Sequence, residues 1–526
     1  AAYAQDEWRI SKSLTLNFGL RWEVQPPFTE KNGNIANFNP ATGGMVYPDI
    51  AAKVLPPAAQ VLYQLNACPG VLSTLPCSPV QTASQAHLPQ GLRDTYWRDF
   101  NPRISVAWRP FGDARTVLRA GFGVYTVPQL GGVAYQMTGL ASTPSLFYIN
   151  AIVNGKPLFQ LPSVAYGNGG LTPDIVGTYE YYVAQQIHYR DPESTQWNVT
   201  LERQLGESWN ARVSYIGQNS FRLGMDTDQN SIRASARPYD PLSIPYPQAG
   251  PIIQLGNWGF ANYQDLEIQV SHRMASGFYL QGTFDWAKDL TNAGGDGPTA
   301  FNIEQGSIGP PGVGLTGIND RFNLRLDRGN DAGVRRNRFL LTSVYQLPFG
   351  RGKRLLGKSN RAVDAVLGGW QLSTITLLQT GPYLTPWDSA TDDSQANLNE
   401  GGRNAIVRPD RIGNCDLSNP TPGHWFNLGA FAPTPAGAGR PGNAGVGICE
   451  GPGTVAVAGG LAKTFSITEK VRLRFEATFS NILNHPNFAA PPTDVSAPDT
   501  FGVTQSVQSA ENGGNRVGQM SLRLDF

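Results

Sequence analysis

The stretch LTLNFGLRWEV, Leu14 to Val24, decides the fold. Leu14, Leu16, Phe18, Leu20, Trp22 and Val24 share one parity, and Thr15, Asn17, Gly19, Arg21 and Glu23 share the other. Side chains of a β-strand point alternately to opposite faces, so these residues read as a strand with one apolar and one polar side. VRLRFEATFS repeats the pattern: Val471, Leu473, Phe475, Ala477 and Phe479 oppose Arg472, Arg474, Glu476, Thr478 and Ser480. A helix would scatter these charges all round its axis.

Working outward, alternation recurs around Ile104, Leu118, Trp197, Trp209, Leu266 and Phe278, and more weakly around Trp8, Phe339, Trp370 and Phe465. The chain closes on Met520, Leu522, Leu524 and Phe526, set against Gln519, Ser521, Arg523 and Asp525. The count is about thirteen strands of roughly 9–12 residues, long enough to cross a tilted path through a bilayer. Connections alternate between short ones, such as 206–208 and 275–276, and long ones at 25–99, 128–193, 219–260, 289–334, 382–453 and 484–514. Short periplasmic turns and long extracellular loops produce this asymmetry in transmembrane barrels. A soluble sandwich would have strands of about 5–6 residues and loops mostly under about 12.

Composition agrees. Charged residues are 15% of the 526, against about 25% in soluble proteins, while Gly (59) and Pro (40) suit many turns and long loops. Aromatic residues at 10% and a 40% hydrophobic content argue against general disorder. A net charge of +1 leaves no electrostatic footprint for nucleic acid. No window of ~18 consecutive apolar residues marks a membrane helix, and a mean hydropathy of -0.27 would look soluble, a test that alternating barrel strands escape. The opening AAYAQDEWRI has neither a basic n-region nor an apolar h-region, so a leader is expected to have been cleaved or to lie upstream.

Chemical signatures are few. Cys68 with Cys77, and Cys415 with Cys449, fall within long loops and are disulfide candidates in an oxidising compartment. No CxxC pair and no suitably spaced histidines point to zinc, so neither metal nor cofactor is expected. No HExxH, GxSxG or P-loop occurs, and the chain is expected not to be an enzyme. Carboxylate neighbours such as Asp265 and Glu267 are what a polar lumen supplies without catalysis. Trp22, Trp108, Trp197, Trp286 and Trp370 read as girdle residues near strand ends. The basic connection from Phe349 to Gly368 reads as a solvated or phosphate-facing turn with a helical turn in NRAVDAVLG.

Several segments resemble Oar-like TonB-dependent receptors, outer-membrane proteins that often carry a carboxypeptidase-regulatory-like N-terminal domain. They are YAQDEWRISKSLTLNFGLRWE from Tyr3, NPRISVAWRP from Asn101, SYIGQNSFRL from Ser214, and FLLTSVYQLPFGRGKRL with LGGWQLSTITLLQTGPYLTP. HWFNLGAFAPTP from His424, PGNAGVGICEGPG and RLRFEATFSNILNHPNF from Arg472 are the most specific. The family's Asp-x-Arg-His-Arg element is replaced by VRRNR at Val334 to Arg338. The resemblance implies a barrel of about 22 strands with an N-terminal plug. Residues 1–526 are then expected to be the C-terminal portion of an all-β, antiparallel transmembrane barrel, with the plug and about nine strands absent.

The facing expected from cost is explicit. Arg21, Glu23, Arg472, Arg474 and Glu476 face the lumen, and Leu14, Leu16, Phe18, Leu20, Leu473, Phe475 and Phe479 face lipid. Leu522, Leu524 and Phe526 resemble the terminal signal read by barrel-assembly machinery. The expected function is a TonB-dependent outer-membrane transporter or receptor for uptake or export of an extracellular solute in a Gram-negative cell. Its partners would be outer-membrane lipid, the TonB system through the missing plug, and the assembly machinery. The competing reading is a surface-display adhesion or matrix-interaction barrel without transport.

Overall fold

The computed structural model describes residues 1–54, 78–127, 137, 152–153, 156–157, 179–236, 243–247, 249–293, 320–389, 408–468, 471–509 and 513–526. Among the described residues, thirteen strands form one continuous wall in chain order. They are β1 Ala2–Ser11, β2 Leu14–Glu23, β3 Asp99–Trp108, β4 Thr116–Thr126, β5 Glu193–Leu205, β6 Trp209–Asp228 and β7 Ala249–Ala275. β8 Phe278–Thr291, β9 Asn337–Gln346, β10 Trp370–Gln379, β11 Thr454–Ser466, β12 Arg472–Phe479 and β13 Gly518–Asp525 complete it. Neighbours pair antiparallel, and two marginal segments, Tyr179–Gln185 and Gly329–Asn330, join at the long-loop end. Among the described residues the wall is open: β1 pairs only with β2 and β13 only with β12. Among the described residues no helix is long and apolar enough to cross a membrane.

Register converts the alternation of single strands into two continuous faces. Leu14 stands opposite Trp108, Trp108 opposite Leu118, and the row continues through Leu201, Val213, Ile268, Phe284, Phe339 and Leu378 to Val455. Ten successive strands thus place an apolar residue at one level on one side. A slip of a single residue in any pair would turn that strand's apolar set to the other face. Leu473, Phe475 and Phe479 join the same side through Phe465, Lys463 and Gly459 of β11.

The apolar side chains of this face are largely uncovered. Phe18, Leu20, Ile104, Phe122 and Leu201 are exposed, and Trp286 is 59% exposed. A contiguous apolar surface of this extent marks a site of interaction with lipid or protein. By contrast, the largest fully buried apolar side chains among the described residues are Phe38, Met45, Leu92, Met225, Ile252, Leu384, Phe426 and Val46. All lie in long connections or in strand extensions beyond the wall.

The described parts of those connections include folded units. Of residues 219–260, read from sequence as a loop, 219–228 and 249–260 instead prolong β6 and β7, which stay paired from Asn219 opposite Asn262 out to Asp228 opposite Ile253. Their 20 and 27 residues exceed the 9–12 expected because the pairing continues as a hairpin beyond the wall. Onto that hairpin pack the small sheet Asn37–Asn39, Gly44–Tyr47 and Val80–Thr82 and the core of Phe38, Met45, Ala184 and Ile252. A second unit gathers Leu384, Phe426, Phe431 and Phe501 around Cys415 and Cys449, which form a disulfide with Cα atoms 5.5 Å apart. Cys68 and Cys77 lie outside the described residues. Of the tryptophans, Trp108 and Trp370 end strands on the short-turn side; Trp197 instead lies five residues inside β5, opposite Phe122 and Gly217.

Candidate functional site: the polar face of the wall

The polar parity of β4 to β9 carries a ladder of three cross-strand ion pairs. Arg119 pairs with Glu202 (2.5 Å), Arg212 with Glu267 (2.7 Å), and Arg338 with Asp285 (3.5 Å). The residues come together because register sets Arg119 beside Thr200, Thr200 beside Ser214, Ser214 beside Glu267, Glu267 beside Asp285, and Asp285 beside Arg338. Thr200 donates its hydroxyl to Ser214 (3.0 Å) and Asn210 its amide to Glu202 (3.1 Å), so the carboxylates and hydroxyls are tied across strands. Each pair is partly exposed, as expected of a surface in contact with water.

Sequence reasoning alone did not single out this ladder, although every member sits on a polar parity already visible. The missing signal is the cross-strand register, which a single sequence does not contain. Of the residues it did single out, Arg21 and Glu23 form a pair at 2.7 Å near the long-loop end of β2, where Asn101 donates to Glu23 (3.1 Å). Arg474 and Glu476 meet at 3.3 Å on β12, with Arg472 beside the short turn. These two groups lie near opposite margins of the open wall and do not meet. No group of three or more His, Cys, Asp or Glu among the described residues is placed to hold a metal.

Above the wall, charge is buried within the loops. Arg408, 2% exposed, donates to Asp327 (3.0 Å), which is 0% exposed; burial lowers the Arg408 pKa, an effect Asp327 opposes. Arg440 grips Asp410 through its two terminal guanidinium nitrogens, Nη1 and Nη2, each donating at 2.7 Å. These hydrogen bonds hold the Asp410 carboxyl below the usual range against the opposing effect of burial. Such charge-assisted bonds fix the described loop segments that carry them.

The chain is similar to the FrpB iron transporter from Neisseria meningitidis (10% identity, TM-score 0.42), covering 99% of this chain and 44% of that one. It is also similar to BauA, the ferric preacinetobactin receptor from Acinetobacter baumannii (10% identity, TM-score 0.40, 100% of this chain and 42% of that one). A third is the Pseudomonas aeruginosa receptor FpvA bound to a ferric pyoverdine (9%, TM-score 0.41, 100% and 38%). The chain therefore spans well under half the length of each. No curated protein matches it. Residues 1–519 match the family described as outer membrane beta barrel domain, and the chain, a wall of antiparallel strands seated in the cell outer membrane, belongs to that family.

Proposed function

We propose that the chain is the C-terminal part of an Oar-like TonB-dependent receptor that moves an extracellular solute across the outer membrane. The observation that carries this reading is the pairing of an unbroken apolar row on one face with a ladder of ion pairs on the other. An Arg exposed to lipid at midplane costs roughly 2–4 kcal/mol, so the ladder faces a watery lumen and the row faces lipid. Arg21, Glu23, Arg472, Arg474 and Glu476 then line the lumen, and Leu14, Leu16, Phe18, Leu20, Leu473, Phe475 and Phe479 face lipid.

The unpaired N–H and C=O groups of β1 and β13 support a partial domain over residues 1–526, because a bilayer cannot hydrogen-bond an open sheet edge. Further strands, about nine in a barrel of about 22, would close the wall, and a plug inside it would couple transport to TonB. Leu522, Leu524 and the 97% exposed Phe526 stand ready for the assembly machinery. The test is fractionation of the full-length gene product with gel heat-modifiability, followed by site-specific crosslinking to TonB. A heat-modifiable outer-membrane band that crosslinks supports the reading. A soluble, unshifted product discards it, and a barrel without plug or crosslink favours surface display.

A further inference from the structure

We propose that the connection from Phe349 to Gly368 is a docking surface for the phosphate headgroups of anionic phospholipids in the periplasmic leaflet of the outer membrane. The inference rests on the facing proposed above, and its test is separable from that reading.

Position comes first. The connection joins β9 to β10 at the short-turn end and contains the helix Arg361–Leu367, capped by Asn360, whose side chain accepts from the Val363 N–H (2.9 Å). The helix is tied to the apolar side of the wall. Trp370 and Lys463 are register partners on that side, and Lys463 stacks its ammonium 4.8 Å from the rings of both Trp370 and Phe465. Lys463 donates to the carbonyls of Val366 (3.2 Å) and Gly368, and the Trp370 indole donates to Val366 (2.9 Å). An otherwise anomalous cation on the apolar face is thus consumed in holding the helix end there, level with the membrane boundary.

Composition and stiffness come next. Val366 is 65% exposed, and Leu367, Leu355, Leu356 and Phe349 are also uncovered. Five cations, Arg351, Lys353, Arg354, Lys358 and Arg361, are exposed on the same connection, and none forms an ion pair among the described residues. Its one acid, Asp364, accepts the Arg351 backbone N–H (2.6 Å). Backbone bonds from Gly350 to Leu355 (3.0 Å), Leu355 to Pro348 (2.9 Å) and Gly352 to Gly357 (3.1 Å) fold the segment before any partner arrives. Exposed apolar side chains beside unpaired cations, continuous with a lipid-facing wall, complement an acyl boundary and its anionic headgroups. A periplasmic protein would not require the apolar residues to lie level with the wall's lipid face.

The experiment uses full-length protein in nanodiscs of equimolar phosphatidylcholine and phosphatidylglycerol, with retained lipids counted by native mass spectrometry. Wild type is expected to retain phosphatidylglycerol preferentially, and R351Q/K353Q/R354Q/K358Q to lose that preference by about fivefold per charge removed. R325Q/R328Q, at the long-loop end, is expected to leave it intact. Undiminished preference in a heat-modifiable variant overturns the docking surface and leaves the barrel standing, as does retention of a periplasmic protein in place of lipid. A wild-type product that never becomes heat-modifiable overturns both. Should the quadruple variant fail to insert, R354Q/K358Q in the same assay decides.

Discussion

The indole of Trp197 on β5 lies across Gly217, its register partner on β6, so closely that a Cβ at 217 would occupy the ring's own space. Glycine at 217 is therefore needed for close approach. Gly217→Ala is expected to force the indole off its site and destabilise the wall by roughly 1–3 kcal/mol, as overpacking does. The urea midpoint of the refolded full-length protein in liposomes measures it; an unchanged midpoint would show that the ring has room to move.

Facing can be tested on one strand. Leu473→Arg or Phe475→Arg puts a guanidinium on the apolar side at roughly 2–4 kcal/mol, whereas Thr478→Arg adds it to the polar side beside Gln519 and Gly460. The yield of heat-modifiable protein in the outer membrane is expected to collapse for the first two and hold for the third. Equal yields would sink the assignment of faces.

The ladder's value is modest by its exposure. With Arg212 and Glu267 at 37% and 22% side-chain exposure, Glu267→Gln is expected to lower stability by less than about 1 kcal/mol. Chemical denaturation checks this, and a loss several times larger would mean the face is dry rather than bathed by a lumen.

Acid sensitivity is expected in the loops. The Asp410 pKa is lowered in the fold, so its stabilisation is present above the unfolded carboxylate value, near 3.9, and disappears as pH falls through the lower folded value. Protease resistance of the loop unit should therefore drop on acidification below about pH 4. Asp410→Asn should show lower resistance at neutral pH and a flatter response; an identical pH profile would refute the role of the Arg440 grip.

The Cys415–Cys449 bond spans a sequence separation of 34 and is expected to contribute on the order of 3–4 kcal/mol to the loop unit. Cys415→Ala/Cys449→Ala should open residues 408–453 to proteolysis while the wall stays heat-modifiable. Loss of the heat-modifiable band itself would show that the loop unit and the wall fold as one.

Much was legible in the residue order. The alternation at Leu14 to Val24 and at Val471 to Ser480 specifies strand and faces locally, because parity along an extended chain is a covalent property that no partner can alter. Thirteen wall strands, short turns such as 206–208 and the helical turn in NRAVDAVLG follow from that order and from turn chemistry. What each residue meets across the sheet is different in kind. Arg212 finds Glu267 across 55 positions, Trp197 finds Gly217, and Lys463 finds the helix end at Val366 across 97. Those partnerships depend on register and on which connections fold into cores, as β6 and β7 do beyond the wall. Register is set by the sum of many weak cross-strand contacts, so only the assembled tertiary structure decides it.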